Sequence, residues 1–131
     1  MIVDQYGAFV GKKSERLVVR KDKEVLVEVP FADLEQVAAF NGVIHGRDAE
    51  ALTLRLFRCY PGCDLQDLIF VEERGRRGRR GRVVSSLCLI PWALRYGMVA
   101  LPVGEMGIVG TLEEYRRRGL IRAQVRHFNR R

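Results

Sequence analysis

The chain has 131 residues, 47% apolar and 30% charged, a globular composition rather than that of a disordered chain. No apolar run approaches the roughly 18–20 residues of a membrane span, and the first residues lack a secretory pattern. No membrane partner is therefore expected, and the expected location is cytoplasmic. The net charge of +7 is unevenly spread and favours phosphate-bearing partners.

Residues 1–40 read as short strands. Ile2-Val3, Ala8-Phe9-Val10, 16–20 and 24–29 are apolar or alternating, and Gly, Lys, Ser and Asp punctuate them. Lys21-Asp22-Lys23 joins two of these runs, so a hairpin is expected over 17–29, ended by Pro30. A further strand is expected over 34–40, closed by the turn dipeptide Asn41-Gly42.

The period then changes. Ala49, Leu52 and Leu56 recur at helical spacing, predicting a helix over 48–57 with Asp48 as N-cap and Pro61-Gly62 as its stop. Cys59 and Cys63 flank Tyr-Pro-Gly, but with Cys88 as the remaining cysteine and only His45 and His127, no zinc set is completed. No metal site is expected. A short helical turn leads into a strand over 68–72, and a loop crowded with Arg74, Arg76, Arg77, Arg79, Arg80 and Arg82 follows. Such a loop could touch nucleic-acid phosphates, or simply be a solvated charge run.

Residues 83–90 predict a strand covered on both faces, ended by Pro91. Strands over 96–103 and 106–111 follow. The last element is an amphipathic helix over 120–131, with Ile121, Val125 and Phe128 on one stripe and Arg122, Arg126, Asn129 and Arg130 opposite. Between strand and helix lies Glu114-Tyr115-Arg116-Arg117-Arg118-Gly119-Leu120. A basic loop opening a helix is an anion site, because the first N–H groups and the positive dipole end face outward.

This segment resembles the acetyl-coenzyme A motif of the GNAT N-acetyltransferases. Arg116 and Gly119 match the motif, with the Glu-Tyr lead-in. Ile121 stands where the family prefers Gly or Ala. Residues 81–87 and 96–106 resemble two strands of the same family. The resemblance implies that Arg116, Arg117, Arg118, Gly119, Leu120 and Ile121 hold the pyrophosphate, and that Val109, Gly110 and Thr111 pair with the pantetheine arm of acetyl-CoA. It also implies an amine as acyl acceptor, with Glu105 as general base, eleven residues before Arg116. The family continues beyond this helix with further strands, so the cofactor strand is expected at a sheet edge.

The first half resembles a different family. Val3-Asp4-Gln5-Tyr6-Gly7-Ala8, Lys12-Lys13-Ser14-Glu15-Arg16-Leu17-Val18-Val19 and Val29-Pro30-Phe31-Ala32-Asp33-Leu34-Glu35-Gln36-Val37 are similar to the N-terminal β-domain of the CRISPR-associated integrase. That domain builds a dimer interface. The family's metal ligands lie in a helical domain absent here, and none of Glu15, Glu35 or His45 matches them, so no nuclease site is implied.

The expected fold is α+β: an antiparallel β-hairpin domain with one helix over 1–56, then a partial GNAT-like mixed sheet with a C-terminal amphipathic helix over 57–131. The leading functional expectation is an acetyl-CoA-binding, GNAT-type N-acetyltransferase domain. The alternatives are a non-catalytic CRISPR-type module, dimerising through its β-domain and touching DNA through the Arg-rich loop, and a recombined gene remnant.

Overall fold

The computed structural model describes residues 34–73 and 81–130 in full, and the backbone of 2–3, 9–10 and 24–28. The expected strand over 16–20 and most of the Arg-rich loop lie outside the described residues. The chain is α+β. Its elements are β1 (Ile2–Val3), β2 (Phe9–Val10), β3 (Glu24–Glu28), α1 (Leu34–His45), α2 (Arg47–Cys59), β4 (Leu68–Glu73), β5 (Val83–Tyr96), β6 (Val99–Thr111) and α3 (Leu120–Phe128). β1 and β2 form a two-residue antiparallel pair, while the main sheet runs β3-β4-β5-β6. Each of its described pairings is antiparallel, not mixed.

Alternation along β4 sorts the core onto two faces. Leu68 and Phe70 point to one side, where Leu34, Val37 and Phe40 of α1 and Leu56 and Phe57 of α2 cover them. Ile69 and Val71 point to the other, where they meet Tyr115 and Leu120 and Phe128 of α3. The sheet is thus sandwiched between a helix pair and a single helix. β3, from before residue 56, pairs with β4 from after it, so elements from both segments build one sheet.

Three expectations fail for identifiable reasons. Residues 34–40 form the first turns of α1 and not a strand. Leu34, Val37, Ala38 and Asn41 recur at helical spacing, and all four are buried. Asn41-Gly42 is no turn. Asn41 Nδ2 donates to Thr53 Oγ1 at 3.0 Å, and Asn41 Oδ1 accepts from Ser86 Oγ at 2.6 Å, so tertiary hydrogen bonds hold the residue within the helix. Pro91 does not end β5 either. β4 stops alongside Cys88, so beyond it, among the described residues, one side of β5 has no strand to supply with an N–H, which is where proline is tolerated.

Other expectations stand with shifted bounds. α2 matches the predicted helix, but its N-cap is Gly46, at φ 97°, and not Asp48. The turn before β4 is a 3₁₀ turn, Leu65–Asp67, closed by reciprocal Asp64 and Asp67 bonds. The two strands expected between 96 and 111 are one, β6. The buried stripe of α3 is Leu120, Gln124 and Phe128, with Ile121 and Val125 half-buried beside it. Among the described residues no helix is long and apolar enough to cross a membrane.

Candidate cofactor site

Among the described residues β6 is the last strand of the sheet, so one of its edges carries no described strand. Near its end the pairing slips. Ser86 faces Gly110 while Cys88 faces Gly107, leaving Leu87 opposite both Ile108 and Val109. This is a β-bulge, and Ile108 sits in it at φ 49°. A β-branched side chain with positive φ is a strained outlier, of a kind that clusters at functional sites.

Immediately after the bulge, Gly110 is buried against the end of α1. A Cβ there would lie 2.9 Å from Ile44 Cγ2 and 3.3 Å from His45 Nε2, so glycine is what lets α1 approach β6. On the neighbouring strand, Ser85 Oγ donates to the Gly110 carbonyl at 3.0 Å and meets Thr111 Oγ1 at 2.8 Å. Gln124 Nε2, from fully buried Gln124 on α3, donates to Ser85 Oγ at 2.8 Å and to the Leu120 carbonyl at 3.3 Å. One polar chain therefore ties the end of β6 to the start of α3.

The connection between them is a 3₁₀ turn, Glu113–Tyr115, followed by a loop. Arg116 N–H donates to the Glu113 carbonyl at 3.2 Å. Arg117 then adopts φ 64° and Gly119 φ 77°. Two left-handed residues two positions apart fold the chain back onto the helix start. α3 has no side-chain cap, and its first intrahelical bond to the N-cap carbonyl is from Ala123 N–H to Gly119. The N–H groups of Leu120, Ile121 and Arg122 thus precede the helical ladder and carry the positive end of the dipole.

These groups meet at a cavity of about 350 Å³ lined by Thr111, Tyr115, Arg116, Arg117, Gly119, Leu120, Ile121 and Arg122. Its lining residues include Arg116, Arg117 and Arg122, and arginine is the side chain that can meet phosphate oxygens with two parallel N–H groups. Of the residues expected to hold a cofactor, the cavity gathers Thr111, Arg116, Arg117, Gly119, Leu120 and Ile121. Val109 and Gly110 lie on the strand leading into it. Arg118 is turned to a neighbour: its guanidinium lies 4.6 Å from the centroid of the Tyr115 ring, and it donates to the Glu114 carbonyl at 3.0 Å. By sequence Tyr115 is only the motif's lead-in and Arg122 only part of the basic helix face, while His45, Ser85 and Gln124 have no place at the site. A polar residue at position 124, four after Leu120 and four before Phe128, was the available signal for the last.

Glu105 lies outside the cavity. It is exposed on β6, six residues before Thr111, a separation of about 20 Å along an extended strand. Its Oε2 accepts from Trp92 Nε1 at 2.6 Å.

Of the Arg-rich loop, Arg82 is the member within the described residues. Its guanidinium bonds Glu114 at 2.7 Å, reaches Glu73 at 3.7 Å, and lies 5.6 Å from the centroid of the Tyr115 ring. The Glu114 carboxyl is held below the ordinary carboxylate range, first by its own backbone N–H and then by Arg82 and Arg118. Among the described residues no group of His, Cys, Asp and Glu is arranged to hold a metal ion. The chain matches no protein-family model, and no curated protein sequence matches it.

Proposed function

We propose that residues 109–122 bind acetyl-CoA, and that the chain is a cytoplasmic, GNAT-type N-acetyltransferase domain acting on an amine. The observation that carries this reading is the convergence at one cavity of an uncapped helix start, two left-handed loop residues and three arginines, directly after a bulged edge strand. Diphosphate recognition needs fixed N–H donors and positive charge at close range. Both are supplied there by a loop that Gln124 and Ser85 brace from behind.

The open edge of β6 offers backbone donors and acceptors to an extended chain of amides, the pairing mode of an added strand. Pantetheine is such a chain. Acetyl-CoA would supply the acyl thioester: the amine nitrogen bonds to the acyl carbon, the C–S bond breaks, and coenzyme A leaves as its thiol. Glu105 would take the proton that the amine releases, and its bond from Trp92 orients the carboxylate.

Amide hydrogen exchange tests the binding step. With coenzyme A present, amides of 109–122 should slow, and those of α2 should not. An Arg116→Ala/Arg122→Ala variant that keeps its circular dichroism should lose the protection. Unchanged exchange over 109–122 in the folded wild type would overturn the reading.

A further inference from the structure

β5 and β6 continue together well past the rest of the sheet. β4 ends opposite Cys88, so among the described residues the two strands run on from the Leu89–Met106 pair as a two-stranded ribbon, closed by a turn with Gly97 at φ 58°. A two-stranded ribbon by itself is marginal in water, and its length calls for something to cover it.

Residues paired across strands share a face. The pairs Trp92–Val103, Leu94–Leu101 and Tyr96–Val99 alternate onto one face of the ribbon, and Met98 caps its tip. The face begins where the core ends. Ile90 belongs to the cluster under α1 and α2, and Trp92 packs edge-on against Tyr60 with ring centroids 5.9 Å apart. Trp92 Nε1 is satisfied by Glu105, so the indole presents carbon to the face.

We infer that this face is the interface for a second copy of the chain, two ribbons stacking face to face about a two-fold axis. Area is the first argument. The seven side chains are between 38% and 99% exposed. At roughly 150–250 Å² for large side chains, that is on the order of 800 Å² of bare surface. A standard stable interface takes about 800 Å² from each partner, whereas a monomer's largest apolar patch is usually about 300–600 Å².

Charge is the second argument. Between Trp92 and Val103 the charged residue is Arg95, which pairs with Ala100 on the opposite face. Glu105, paired with Ile90 and bonded to Trp92, borders the base of the face, and from Trp92 and Val103 outward two copies of a chain of net charge +7 meet without apposing like charges. A nucleic acid would require cations that the face lacks. Symmetry suits the contact as well, since a flat hairpin face repeated on both partners makes an isologous pair. Stacking through this face leaves the β6 edge and the arginine-lined cavity open.

The test is the solution mass of the full chain at micromolar concentration, by sedimentation and light scattering, with and without phosphatidylcholine vesicles. The expected result is twice 15.0 kDa without vesicles. Leu94→Glu should raise the dimer dissociation constant by about 30-fold or more, the effect of losing a central anchor. Tyr96→Ser/Val99→Ser, at two exposed positions, should weaken the dimer in the same direction and guards against misfolding of the first variant. A 15.0 kDa wild type would overturn the inference, whether it floats with vesicles or stays free. So would variants that remain dimeric with unchanged circular dichroism.

Discussion

Adding one methyl group at Gly110 tests the approach of α1 to the candidate site. The new Cβ would sit 2.9 Å from Ile44 Cγ2 and 3.4 Å from Ile44 Cβ, inside the 3.5–4.0 Å at which carbon atoms attract. Gly110 does not have positive φ, so alanine meets no backbone penalty and the whole effect is steric. Ile44 is β-branched in a helix, with its χ1 confined to one rotamer, and it cannot swing aside. Overpacking of this kind costs about 1–3 kcal/mol, partly offset by the ~0.5–1 kcal/mol gained on replacing glycine in a strand.

A net loss of about 1–2 kcal/mol follows, or roughly 3–10 °C in melting midpoint. Gly104→Ala is the internal control. Its Cβ would also lie 2.9 Å from a neighbour, but that neighbour is Leu89 Cδ1, the free end of a half-buried side chain that can rotate away. That variant should stay within about 0.5 kcal/mol of wild type. Urea titrations of Gly110→Ala, Ile44→Ala and the double variant complete a cycle, in which trimming Ile44 should cancel the Gly110 penalty with a coupling of about 1–2 kcal/mol. Equal losses at positions 104 and 110, or full additivity with Ile44→Ala, would refute the steric argument.

Gln124→Ala should lower stability by about 2–4 kcal/mol by chemical denaturation, since it empties a fully buried site and strips Ser85 Oγ of a donor. Asn41→Ala removes both the bond to Thr53 and the acceptor for buried Ser86, so a loss of about 2–3 kcal/mol is expected in the same assay. Cys88 gives a pH prediction. Burial, and then the neighbouring Cys63, push its thiol well above the ordinary value of 9.0. The folded chain therefore keeps a proton that the unfolded chain releases. The stabilisation is complete below pH 9.0 and is lost as pH climbs toward the folded-state value, at up to about 1.4 kcal/mol per pH unit. Cys88→Ala should flatten that alkaline decline relative to wild type, read from denaturation midpoints across the range.

Legibility from sequence followed the range of the forces involved. α2 and α3 were legible because helical spacing and Pro61-Gly62 or Gly119 mark their limits locally. The residues that line the cavity were largely legible for the same reason: a basic loop opening a helix is marked by its local sequence, whatever packs behind it. α1 was not. Its apolar residues fit a strand or a helix over so short a run, and Asn41 is kept helical by Thr53 and Ser86, twelve and forty-five residues away. Pro91 misled because the rule against proline in strands assumes a neighbour on both sides, and strand order is a tertiary fact. The bulge at Ile108 depends on a pairing slip against Leu87 that no spacing along β6 announces. His45 reaches the site only because Gly110 lacks a side chain, and the partner of such a gap is visible only in the fold.

Calorimetric titration of the full chain with acetyl-CoA tests the central claim most directly, run beside Arg116→Ala/Gly119→Glu. Saturable binding near one ligand per chain, lost in the variant while its thermal unfolding stays cooperative, is the predicted result. A wild type that unfolds cooperatively and takes up no acetyl-CoA would contradict the account.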